Sequence, residues 1–82
     1  MTVRRLVAAD AAGLGWLDDG TREGVAVAVA AGPERALVLA GLDATGDPVG
    51  VVAVDLPPWR GRAVPWLWLV EVRDRTVRSL GR

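Results

Sequence analysis

Apolar residues in this chain come in short runs, broken by turn-forming residues, and the runs carry two different periods. Val3 to Ala9 alternates loosely, is partly β-branched and is closed by Asp10, which predicts a first strand over 3–9 with Arg4 and Arg5 near its outer face. Asp10 then suits the cap of a short helix over 11–17, weakened by Gly13 and Gly15, and Asp18-Asp19-Gly20 reads as the turn that ends it. Thr21 is placed to cap a second helix over 22–31, stopped by the pair Gly32-Pro33. A strand competes for this segment, because Val25, Val27 and Val29 recur with period two and only alanines separate them. The helix is the favoured reading.

Two apolar runs rich in Val and Leu, 35–42 and 49–55, flank Asp43-Ala44-Thr45-Gly46-Asp47-Pro48, whose composition suits a hairpin loop. The segment 56–63, with Pro57, Pro58 and Gly61, belongs in an exposed loop. Residues 64–72 are apolar on both alternating faces, the pattern of a central strand covered on both sides, with Trp66 and Trp68 sharing one face as core or helix contacts. A turn or helix start follows over 74–82. The reading is one α+β unit spanning 1–82, without repeats or linkers.

Composition narrows the chemistry. Histidine and cysteine are absent, which removes thiol catalysis, imidazole triads and the usual zinc sites. No apolar stretch approaches the roughly 18 residues of a membrane helix, and the start of the chain lacks a signal-peptide core, so the expected location is cytoplasmic with no membrane partner. Ten acids balance ten arginines overall. The balance is uneven along the chain: four arginines face eight acids in 1–59, and six face two in 60–82. An arginine cluster confined to one end, beside an acidic first half, is a weak nucleic-acid signature, and none is expected as a partner.

The residues that bear chemistry lie late in the chain. Trp59 with Arg60 and Arg62 reads as a solvated loop, with a substrate loop as the alternative. Glu71 is an acid within an apolar run, and one reading is that it emerges into solvent to pair with Arg73 or Arg75. Asp55 closes the third strand.

The order strand, short helices, hairpin, apolar strand, then Arg-Gly turn resembles the N-terminal half of a GNAT-type N-acetyltransferase. The resemblance rests on Trp68-Leu69-Val70-Glu71-Val72 followed by Arg78-Ser79-Leu80-Gly81-Arg82. In that family the fourth strand leads to Arg or Gln, two residues, Gly, one residue, then Gly or Ala, at the start of the helix that binds acetyl coenzyme A. Five of the six positions are present and the sixth would be residue 83. The interval from Val72 to Arg78 is about one residue longer than the family pattern, and the region before the hairpin is short for two helices.

The resemblance implies an α/β, mixed-sheet fold of the acyl-CoA N-acyltransferase type, represented by its N-terminal portion. It implies acetyl-CoA as cofactor, a small-molecule or protein amine as acceptor, and ternary-complex transfer. It further implies a pyrophosphate held by backbone amides of Arg78, Ser79, Leu80, Gly81 and Arg82, and a pantetheine arm paired with backbone groups of Val70 and Val72. Glu71 would be the general base, and Asp55 would orient the amine. Convergent amides at a helix N-terminus suit an anion, and Gly81 permits close approach. On this reading the domain continues past residue 82, and 1–82 alone is an inactive fragment with one face and one edge of the last strand bare, prone to self-association. The competing class is a small non-enzymatic interaction module that associates through that strand.

Overall fold

A computed structural model describes residues 2–73; the predicted turn over 74–82, including Arg78 to Arg82, lies outside the described residues. Four strands form one antiparallel sheet in sequence order: β1 (Thr2–Arg5), β2 (Ala36–Leu42), β3 (Pro48–Asp55) and β4 (Trp66–Val72). A 3-10 helix, Ala8–Leu14, and one α-helix, α1 (Asp19–Ala31), connect β1 to β2. The α+β class and the predicted hairpin are present. β2 pairs with β3 from Ala36↔Asp55 to Leu42↔Pro48, and Gly46, at φ 88°, turns the loop between them.

The helical layer covers one face of the sheet. That face presents Ala36, Val38, Ala40 and Leu42 from β2 and Val51 and Ala53 from β3, all buried against Leu14, Leu17, Val25 and Ala28. Alternation sends Leu37, Leu39, Val52 and Val54 to the opposite face, where they are half-buried. Ala28, Ala40 and Ala53 have no exposed surface, so small side chains on both layers bring α1 close to β2 and β3. Each larger aliphatic buried there contributes on the order of 1.5–3 kcal/mol.

Several boundaries differ from expectation. β1 ends at Arg5 rather than residue 9, because the chain leaves the sheet after the Leu6 N–H donates to Val38 O. Asp10 does not cap a helix over 11–17. It lies inside the 3-10 helix, where its carboxylate accepts from the Val7 N–H at 2.8 Å and from Arg4. Asp18-Asp19-Gly20 is not a turn but the start of α1. Asp18 is the cap, accepting from both the N–H and the hydroxyl of Thr21 at 2.8 Å, so the helix begins three residues before the expected position 22. The period-two valines do not make a strand, and Gly32, at φ 95°, ends the helix as expected.

The described residues leave one face and one edge of β4 bare, as expected of 1–82 alone, and none of them supplies the second cover of a central strand. Among the described residues β4 is an edge strand, as β1 is on the other side, and Leu67 and Val70 are 57% and 52% exposed. It is apolar on both sides because one side meets the helical layer while the other belongs to the uncovered face. The strand also starts at Trp66 rather than residue 64.

Gly13 and Gly15 separate packing from propensity. A Cβ on Gly13 would come within 2.8 Å of the Pro48 ring, whereas one on Gly15, at φ −60°, would meet nothing within 4 Å. Gly13→Ala should therefore destabilise the protein by about 1–3 kcal/mol and Gly15→Ala should be neutral or slightly stabilising. Urea unfolding of the two variants checks the contrast.

Candidate functional site

Two features of β4 position the candidate residues. The first is its register. Arg73 N–H donates to Val49 O at 2.8 Å, and the alternation of an antiparallel ladder then turns the backbone of Glu71 toward its partner Val51. The N–H and C=O of Val70 and Val72 consequently point away from β3, along the outer edge of the described sheet. The second feature is a bulge: Ala53 pairs with Leu69 and Val54 with Leu67, leaving Trp68 as the extra residue. The bulge keeps Trp68 on the helical side, where its ring would meet a Cβ placed on Gly24 at 3.4 Å. Trp66, opposite Asp55, shares that side but is 49% exposed rather than the core contact expected, whereas Trp68 packs against the core.

Asp55 anchors a second cluster at the opposite end of β4. It has no exposed surface, continuing the buried parity of Val51 and Ala53. Arg62 Nε donates to its Oδ2 at 3.2 Å, and Arg60 Nε stands 4.0 Å from the same oxygen. Both arginines also lie over indoles: Arg60 is 4.1 Å from the Trp59 ring centroid and 5.9 Å from that of Trp68, and Arg62 is 4.9 Å from that of Trp66. The segment expected as an open loop is thus tied down. It contains a cis Pro57-Pro58 bond and a 3-10 turn, Trp59–Gly61, with Arg60 at φ 55° in a region costly for a side-chain-bearing residue. Among the described residues, Asp55 Oδ1 and Trp68 Nε1 are buried without a hydrogen-bond partner, an acceptor and a donor on the helical side of the sheet.

Glu71 is half-buried on the helical side, across from Val51. Its partner Val51 lies four positions before Asp55 on β3, so the two acids stand about 13 Å apart along the sheet and cannot act on one amine as a pair. Arg73 lies 3.7 Å from Asp43. The Asp43 carboxylate also accepts from the Thr45 hydroxyl and from the Thr45 and Asp47 amides, closing the hairpin loop.

The arginine partners of Asp55 were not anticipated from sequence. Parity along β3 was the available signal: with Val51 and Ala53 inward, Asp55 must also turn inward, and a buried carboxylate needs a cation. Arg60 and Arg62 are the next arginines in the chain.

No family model, curated protein or solved structure matches the chain. Among the described residues no group of three or more acids assembles as a metal site, and no helix is long and apolar enough to cross a membrane.

Two electrostatic outcomes follow. Arg62→Gln leaves Asp55 buried with only the more distant Arg60, so it should cost about 3 kcal/mol in urea unfolding, clearly more than Arg60→Gln. The Thr45 hydroxyl and the Asp47 amide hold the Asp43 carboxyl below its ordinary 3.8, and Arg4 does the same for Asp10. Folded-state values below the unfolded ones contribute stability that is present above about pH 4 and lost as pH falls through the lowered values. Urea midpoints measured from pH 6 down to 3 should fall less steeply at the acid end in Asp10→Asn and Asp43→Asn than in wild type.

Proposed function

We propose that the chain forms the coenzyme A-binding side of a GNAT-type N-acetyltransferase, which passes an acetyl group from acetyl-CoA to an amine. The carrying observation is the outer edge of β4, where the N–H and C=O groups of Val70 and Val72 point away from β3. An extended amide-bearing arm such as pantetheine satisfies such groups as an added strand would. The order of β1, two helical segments, the β2–β3 hairpin and β4 agrees with the resemblance carried by Arg78-Ser79-Leu80-Gly81-Arg82.

The bound thioester supplies an activated acetyl group. With the pyrophosphate toward residues 78–82, an arm paired first with Val72 and then with Val70 runs toward the bulge at Trp68. Glu71 stands between these two contacts and is the candidate to take the ammonium proton, directly or through water. Asp55, locked to Arg62 at the far end, serves in this reading to hold the Trp59–Arg62 turn in place rather than to hold the amine.

Coenzyme A titrated into the protein should quench or shift tryptophan fluorescence saturably, with Trp68 as the nearest reporter. Gly81→Asp, which adds a side chain and a negative charge where the pyrophosphate would sit, should weaken binding about tenfold or more. No response at millimolar coenzyme A overturns the reading and favours the interaction module, for which the exposure of Val3, Leu67 and Val70 on the uncovered face is the supporting observation.

A further inference from the structure

Between the 3-10 helix Ala8–Leu14 and α1 runs a half-open groove of about 380 Å³ that has no part in the β4 site. Its floor reaches the core at Leu14 and Val25, each 1% exposed, and Val7, half-exposed, stands at its rim. Among the described residues the walls are aliphatic except for Arg22, the one charged residue of the lining. The volume lies at the small end of ligand sites and holds roughly a dozen non-hydrogen atoms at the ~30 Å³ that a water-sized group occupies in a liquid.

Arg22 is held in place at this wall. Its Nη1 donates to Leu17 O at 3.2 Å, and Nη2 pairs with Asp19. The Asp19 side chain is 97% exposed, so that pair is of the solvent-screened kind whose loss costs little. A carboxylate carried by the groove's occupant can therefore replace Asp19 on the guanidinium while its tail displaces water from the aliphatic walls. Among the described residues no acid lines the groove to oppose it.

We infer that this groove binds a monocarboxylate with an unbranched apolar tail of about eight carbons, the size and charge of a medium-chain fatty acid. The inference stands independently of the acetyltransferase reading, since no residue of β4 lines the groove.

Octanoate and octanol, titrated separately into the full chain and followed by amide chemical shifts, test it. Saturable octanoate shifts should centre on Val7, Ala26 and Val29, with affinity about tenfold above that for octanol. Arg22→Gln should remove that difference, whereas Asp19→Asn should tighten octanoate and leave octanol unchanged. Ala26→Trp, which fills the mouth, should abolish both; if circular dichroism shows that variant unfolded, the Arg22→Gln comparison decides. Absence of saturable shifts at millimolar octanoate, equal affinity for octanol, or unchanged binding in a folded Ala26→Trp protein would overturn the inference. So would shifts of the same residues on raising protein concentration without ligand, which would make a second copy the occupant.

Discussion

The seating of α1 on β2 and β3 through small side chains governs the rest of the molecule. Ala28, Ala40 and Ala53 are completely buried, and Val25, Val38 and Val51 interlock around them. Because the helical layer lies on one face only, parity along β2 and β3 decides which residues make the core and which remain half-exposed. The same parity carries Asp55 inward at the end of β3, where a hydrophobic core cannot satisfy a charge. Arg62 and Arg60 are drawn to it, and both guanidinium groups also lie over indole rings, Arg60 on Trp59 and Arg62 on Trp66.

Much of this was legible in the chain. The hairpin was, because two Val- and Leu-rich runs flank a loop of turn-forming residues, and so was the end of α1 at Gly32. The start of α1 was misassigned because Asp18 and Thr21 are both good capping residues three positions apart, and spacing alone does not say which is cap and which is capped. The cover of β4 was not legible for a different reason. A strand that lies half against helices and half on an open face has the same apolar composition as one covered on both sides, and a bulge at Trp68 blurs the alternation further. Burial depends on what the rest of the chain brings to each face, which local periodicity does not encode.

For the candidate site the split is similar. Sequence reasoning selected Glu71, Val70, Val72 and Asp55. The structure puts the first three on one stretch of β4 and Asp55 at the other end, already committed to Arg62. That separation turns a nominal pair of acids into two unlike groups: one half-buried on a strand with its backbone toward β3, the other a fully buried anchor. The tightly hydrogen-bonded Asp43 loop, with Arg73 beside it, fixes the opposite end of β4. Both ends of the strand are thus tied down by ionic contacts while the outer edge faces away from them.

The central claim is that the outer edge of β4 offers its backbone to an extended partner, and amide hydrogen exchange on the protein without ligand reads that edge directly. The account predicts alternation: slow exchange at Glu71 and Arg73, whose amides face β3, and fast exchange at Val70 and Val72, which slow when coenzyme A is added. Protection of Val70 and Val72 equal to that of Glu71 in the absence of ligand would mean that the edge is already occupied, and would contradict the account.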